Sequence, residues 1–400
     1  MIGQGGEPAT EPSPVPGISR NVFLLGLVSL ATDASTEMLY PLIPLFLTQT
    51  LRVPVAIVGV IEGLAEATAS LLKGFSGWLS DRIGLRRPLV IAGYGLAAAT
   101  KPLLALAAGW PLVLAARVLD RFGKGLRGTP RDALIADSSP EHLRGRAFGF
   151  HRSADQIGAI VGPLAALPLL AVFHQGYRAV FLAAFVPAAL GVALLFAVRE
   201  TGTGRERARL PSLRLRDTSP AFRRFLGITL VFALGNSSDA FLILLARHLG
   251  VTAPRIVLLF AAFSVTYVLS AYPAGLLSDR LGRKRLLVAG LAWFAVVYLG
   301  LALVRTPAWL WLLFPAYGLY MGLTDGVMRA FVVDLVGPAH RATALGLQAM
   351  AVGLAAFPAS ATAGLLWQGL GAPAPFFYGA AMAGLAAGLL GARVRSPLTR

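Results

Sequence analysis

GWLSDRIGLRRPLVIAG, residues 77–93, returns as GLLSDRLGRKRLLVAG at residues 275–290. Asp81 and Asp279 stand 198 positions apart, close to half of the 400-residue chain. In each copy an apolar run ends on a carboxylate, a glycine and a basic cluster, and a second apolar run begins. A further echo pairs RDALIADSSPEHLRGRAFGF at 131–150 with RAFVVDLVGPAHRATALGL at 329–347. A weaker one pairs TDASTEM at 32–38 with GNSSDAF at 235–241. The chain is an internal duplication, and its fold is read from one half applied twice.

The composition says what medium the halves occupy. Hydrophobic residues make up 56% of the chain and charged residues only 14%, against about 25% for soluble domains, which need a charged surface. Mean hydropathy is +0.69. The apolar residues fall in runs of bilayer-spanning length, at 20–48, 55–79, 87–108, 111–135, 145–173, 177–198, 223–249, 254–278, 285–304, 308–335, 341–369 and 373–392. Charges interrupt the fourth and tenth. The expectation is an all-α membrane protein: twelve transmembrane helices in two pseudo-symmetric six-helix bundles, 20–198 and 223–392. A basic linker at 199–222 joins them, and tails flank them at 1–19 and 393–400. Residues 1–19 are rich in Pro, Gly, Glu and Ser, lack Lys and Arg, and read as a disordered tail rather than a signal peptide. There is no cysteine, so no thiol chemistry or Cys-ligated metal is on offer.

The net charge is +17, a balance that in a soluble chain would suggest nucleic acid. Here the arginines gather in loops between apolar runs. Residues 199–224 alone hold eight arginines against three acids. SDRIGLRRP, PEHLRGR and SDRLGRKR lie on the same side, and Arg393, Arg395 and Arg400 follow at the end. The opposite loops, LRVP, AAGWP and VRTPAW, are short and nearly uncharged. This is a positive-inside pattern with both termini cytoplasmic, in a multi-pass plasma membrane protein, expected in a prokaryotic inner membrane. The partners expected are lipid, a small-molecule substrate and protons. Nucleic acid is not among them, and a monomer is expected.

GWLSDRIGLRR and its repeat suit a gate. Gly77 and Gly275 permit close helix approach. Asp81 and Asp279 end their helices beside Arg82, Arg86 and Arg87, or Arg280, Arg283 and Lys284. A carboxylate there holds a neighbouring helix end by charge-assisted hydrogen bonds, and breaking that contact frees the halves to change state. Both stretches resemble the loop 2–3 and loop 8–9 motif of the major facilitator superfamily, G-x-x-x-D-R-x-G-R-[RK]. Leu85 stands where that motif has its first basic residue, and Arg283 keeps it. The resemblance covers about residues 20–392. It implies secondary transport by alternating access, in the manner of the proton-coupled efflux branch, with no cofactor and no enzymatic activity.

DQIGAIVGP, residues 155–163, adds Gly158, Gly162 and Pro163, which resemble the G-x-x-x-G-P core of the family's antiporter motif. Ala165 and Ala166 stand near the later glycines. Physically this is a kinked, close-packed helix at the interface between halves, and the resemblance favours export. RVLDRFGKGLRGTPRD, residues 117–132, places Arg117 where the family has its fourth-helix arginine in R-x-x-Q-G-x-G. Asp120 replaces the Gln and Arg121 the first Gly. Arg117, Asp120, Arg121 and Lys124 follow helical spacing and predict a local ion-pair network, since charge at this depth needs pairing or water. GKGLRG, residues 123–128, also satisfies G-x-G-x-x-G, but it sits in no βαβ unit and does not predict a nucleotide site.

The remaining buried charge clusters in the first half. Asp33 and Glu37 share a face of the first segment, followed by Tyr40, Pro41 and Pro44. Glu62, Glu66 and Lys73 share a face of the second. His151, Arg152 and Asp155 open the fifth, Asn236 and Asp239 mark the seventh, and Asp325 and Arg329 the tenth. One central polar cavity accounts for them together, and in the family the first, fourth, seventh and tenth helices line the path. Burial disfavours the charged form of a carboxylate, so such a group can load and release a proton as access alternates. Asp33 and Glu37 are the first candidates and Asp155 with His151 the second. Structural pairing of Asp33 with Arg152 or Arg117 is the alternative. Tyr317 and Tyr320, one turn before Asp325, either line the path or pack.

The function expected is proton-coupled export of a small amphipathic organic molecule or drug. Carboxylates and aromatics suit a cationic compound, whereas Arg117, Arg121 and Lys124 suit an anionic one. The alternative is divalent metal efflux through Asp33, Glu37, His151 and Asp155, although the five histidines form no dense cluster. No G-x-S-x-G or H-E-x-x-H stretch supports an enzyme, and no appended soluble domain supports a sensor.

Overall fold

The computed structural model describes residues 14–174, 176–201, 218–336 and 341–394. Every regular element in them is helical. The helices are α1 (Arg20–Leu39), α2 (Ile43–Leu45), α3 (Val55–Ile83), α4 (Arg87–Ala105), α5 (Trp110–Asp137), α6 (Arg144–Val172), α7 (Tyr177–Leu195), α8 (Pro220–Gly235), α9 (Ala240–His248), α10 (Ala253–Leu281), α11 (Arg283–Leu303), α12 (Leu310–Asp334), α13 (Arg341–Leu370) and α14 (Ala374–Arg393). They make twelve spans, because the first and seventh are each broken. Among the described residues ten spans are long and apolar enough to cross a bilayer. The other two, α5 and α12, are the fourth and tenth segments, whose charges lower their hydropathy.

The breaks and ends have local causes. Pro41 and Pro44 withdraw two backbone donors. The first span accordingly stops at Leu39, resumes as α2 and closes on a π turn at Phe46–Thr50. Asn236 leaves helical geometry at φ −91°, ψ 84°, and separates α8 from α9. Ser19 and Ser219 cap α1 and α8, each hydroxyl accepting from the backbone N–H three residues on, one of a helix's otherwise unsatisfied first-turn donors.

The repeat is visible in the packing. α1 packs on α6 and α7, and α4 on α7; likewise α8 packs on α13 and α14, and α11 on α14. First-with-fifth, first-with-sixth and third-with-sixth contacts thus recur six spans later. Large apolar side chains such as Val186 (68% exposed), Leu269 (70%) and Leu365 (66%) face outward, which suits hydrocarbon rather than water.

Contacts divide the chain into two units. One takes the described residues of 1–40, 71–107 and 111–210; the other takes 41–70, 108–110 and 211–400. The boundary departs from the sequence halves at the Pro41 break. Beyond it, α2 packs on α9, and Gly59 and Gly63 of α3 lie against the backbone of Ser360 and Phe357 of α13. The expected tail at 1–19, linker at 199–222 and tail at 393–400 fall largely outside the described residues, as do the side chains of Gly77 and Asp81.

Candidate functional site

In the first unit the site begins where α1 meets α6. A Cβ on Gly158 would lie 2.6 Å from the Leu30 carbonyl oxygen, and one on Gly162 would lie 2.5 Å from that of Ala34. Only glycine permits this approach. These residues therefore bind helix to helix within the first unit. Pro163 follows inside the same helix. The approach sets Asp33 of α1 in hydrogen-bond contact with Asp155 of α6. Asp155 Oδ1 also accepts from Ser29 Oγ at 2.5 Å, and Oδ2 accepts from Arg152 Nη1 at 3.0 Å. A carboxylate accepts but does not donate, so an Asp33–Asp155 hydrogen bond requires a proton on one of the two.

α5 supplies the second part. Lys101 Nζ of α4 donates to Asp120 Oδ1 at 2.8 Å, with side chains 3% and 8% exposed. Arg117 lies 5.9 Å from the centroid of the Tyr40 ring, and Arg127 lies 4.1 Å over that of Tyr94. Arg117, Arg121 and Arg127 are buried, whereas Lys124 is exposed. Asp33 is within electrostatic reach of Lys124 and Arg127. The G-x-G-x-x-G run lies inside continuous α5, and Gly123 serves packing: its Cβ would fall 2.4 Å from the Gly93 carbonyl oxygen of α4.

In the second unit the broken seventh span holds Asp239, whose Oδ1 accepts from Tyr317 Oη at 2.7 Å. Ser238 N–H donates to Ser360 Oγ of α13 at 3.1 Å, and Asn236 Oδ1 has no partner among the described residues. Tyr317 and Tyr320 are buried in a ring cluster with Phe294, Tyr298 and Phe263. Asp325 accepts from Tyr267 Oη at 3.0 Å and pairs with Arg329 at 2.9 Å.

Comparison with known proteins follows the same lines. The Major Facilitator Superfamily profile matches residues 25–244 and again 224–399, the two halves of the duplication. The chain belongs to the Major Facilitator Superfamily. It is 33% identical to an uncharacterized MFS-type transporter of Methanocaldococcus jannaschii, over 93% of this chain and 94% of that one. It is 26% identical to the multidrug resistance protein MdtG of Salmonella paratyphi A, over 81% and 82%. The crystal structure of a D-xylose-proton symporter superposes with a TM-score of 0.77 at 17% identity, covering 95% of this chain and 98% of that one. The protein is a multi-pass membrane transporter working by alternating access, of the kind found in bacterial inner membranes, and not an enzyme.

Superfamily membership directs attention to the repeated loop motif, where the structure corrects the expectation in part. Gly275 makes no close approach: a Cβ there would meet open space, in a cleft of about 260 Å³ lined also by Ala271, Ser278, Gly326 and Ala330. Asp279 is 68% exposed and only 3.8 Å from Arg283. Arg283 makes the firm link instead, donating to the Ala330 carbonyl at 3.0 Å and to Asp334 at 2.5 Å. In the first copy Arg86 donates to the Ala133 carbonyl at 3.0 Å and pairs with Asp137. Each acceptor lies 197 residues before its counterpart, as Arg86 does before Arg283. Arg86 therefore fills the place left by Leu85, one residue after the sequence alignment puts it. Arg86 and Arg87 N–H groups also donate to Glu200 at 3.0 and 2.8 Å, and Lys284 donates to the Gly391 carbonyl.

Of the four residues named for metal, no group of three or more His, Cys, Asp or Glu among the described residues could hold an ion. Asp155 is engaged by Ser29, Arg152 and Asp33. Lys101 and Ser29 join the site without being expected from the sequence. Lys101 left a signal as a lone cation inside the third apolar segment; Ser29 left none.

Proposed function

We propose that this protein exports a small amphipathic organic molecule in exchange for protons, and that the Asp33–Asp155 pair carries the proton. The contact between two carboxyl groups on neighbouring helices is the observation that supports it. One proton closes the hydrogen bond; losing it leaves two like charges side by side, which drives the pair apart. A shift between α1 and α6 is thereby tied to proton release, the link an alternating-access cycle needs. Glu37, one turn from Asp33, and His151, one turn from Asp155, are the neighbouring relay candidates. Asn236, Asp239, Asp325 and Arg329 are the substrate candidates of the second unit. Similarity to the multidrug resistance protein MdtG supports the reading of an organic substrate, while the likeness to a symporter is one of fold alone. The reading includes a monomer with both termini cytoplasmic, two six-span halves, and gating through Gly77, Asp81, Arg82, Arg86 and Arg87 and their repeat.

The test uses proteoliposomes with an imposed pH gradient. Gradient-driven dye efflux should collapse in Asp33→Asn and Asp155→Asn, while exchange of dye across equal pH persists. Equal loss of both fluxes, or full retention of the driven one, would remove the proton role from this pair.

A further inference from the structure

We infer that the transported molecule carries a protonated primary amine, held at the break in the seventh span. This rests on the transport reading and names its substrate class.

The break collects hydrogen-bond acceptors. Asp239 Oδ1 accepts from Tyr317 Oη at 2.7 Å, and an ionised carboxylate has lone pairs for further donors. Asn236 Oδ1 is a buried atom with no partner among the described residues. Tyr298 of α11 is wholly buried. Its Oη reaches the same place, beside the Ser237 and Tyr317 hydroxyls and within electrostatic reach of Asp239, yet no group among the described residues closes a hydrogen bond of normal geometry with it. Polar atoms left unpaired away from water are costly. Asp239, Asn236 and Tyr298 thus surround the break and are short of donors.

The charge there has one sign. Among the described residues Asp239 forms no ion pair, and the charges that reach it are those of Glu62 and Glu66 on α3, in the same unit. The two glutamates have contacts of their own, but neither brings a cation to Asp239. A carboxylate at membrane depth without a counter-charge is costly, and a ligand that supplies one relieves it. An ammonium group brings a positive charge and three N–H donors, one for each of Asp239, Asn236 and Tyr298. A quaternary ammonium brings the charge without the donors, and a carboxylate or phosphate has the wrong sign.

The experiment is thermal unfolding of the full chain in phosphatidylcholine nanodiscs at neutral pH. The probes share one apolar body: 4-phenylbutylamine, 4-phenylbutyl trimethylammonium and 4-phenylbutyrate. The amine should raise the midpoint saturably, because a ligand that binds the native state stabilises it. The quaternary compound should bind about tenfold or more weakly, through the loss of charge-assisted hydrogen bonds, and the carboxylate should leave the midpoint unchanged. Asp239→Asn, which can still accept from Tyr317, should weaken the amine about tenfold or more. Tyr298→Phe removes a hydroxyl that no residue pairs with, so folding tolerates it, and it should weaken the amine by a smaller factor. Equal affinity for the amine and the quaternary compound, stabilisation by the carboxylate, or unchanged amine affinity in either variant overturns the inference. A midpoint that rises with sodium over potassium, is lost in Asp239→Asn and shows no amine response also overturns it, assigning the acceptors to a metal ion. Gradient-driven dye efflux without an amine response would keep the export reading and sink the amine site. An amine response without gradient-driven efflux of any amine would keep the site and sink the export reading.

Discussion

Removing Asp120 from the Lys101–Asp120 pair should cost more than removing Lys101. The two groups are 2.8 Å apart and almost wholly buried. At an effective dielectric of about 20, their attraction is about 6 kcal/mol, set against a desolvation cost of similar size. Asp120→Leu leaves the ammonium with no carboxylate partner, within reach of Arg117 and Arg127, and should destabilise by about 3–5 kcal/mol. Lys101→Met should cost less, about 1–3 kcal/mol, because Arg117 and Arg121 still attend Asp120. The double variant should cost less than Asp120→Leu alone, because no lone ammonium is left, yet remain less stable than the parent, because Arg117 and Arg121 still lose their shared carboxylate. Unfolding in nanodiscs, followed by the fluorescence of the six tryptophans, gives the three values and their coupling. Additive single costs, or Lys101→Met costing more than Asp120→Leu, would refute the claim that Asp120 is the shared centre of this network.

The α1–α6 contact yields a second prediction. Gly158→Val places methyl groups beyond a Cβ already 2.6 Å from the Leu30 carbonyl, so the helices must part. Stability should fall by about 1–3 kcal/mol from overpacking, and gradient-driven efflux should fall with it; unchanged driven flux would separate Gly158 from coupling. A third concerns the loop motif. Arg86→Ala should lower the thermal midpoint by the equivalent of about 1–3 kcal/mol, matched by Arg283→Ala in the repeat. Leu85→Arg should leave the midpoint unchanged, since Arg86 already holds Asp137; a clear gain in stability from Leu85→Arg would show the place to be vacant.

The sequence by itself determined the helical class, the twelve spans and the duplication, because hydrocarbon tolerates only internally bonded backbone and the repeats are written in contiguous residues. It also picked out α5 and α12 as the interrupted segments, from the charges at Asp120, Arg121, Asp325 and Arg329. Partners were beyond it. Asp33 and Glu37 share a helical face, yet Asp33 meets Asp155, 122 residues on, because two glycines let α6 close on α1. Lys101 finds Asp120 through helix packing that no spacing rule encodes. Arg86 replaces Leu85 where three residues, 84–86, separate α3 from α4, against Gly282 alone between α10 and α11. Local periodicity fixes which groups share a helix face, but hydrogen bonds and ion pairs form over a few ångströms, and only the tertiary packing brings side chains of different helices within that range.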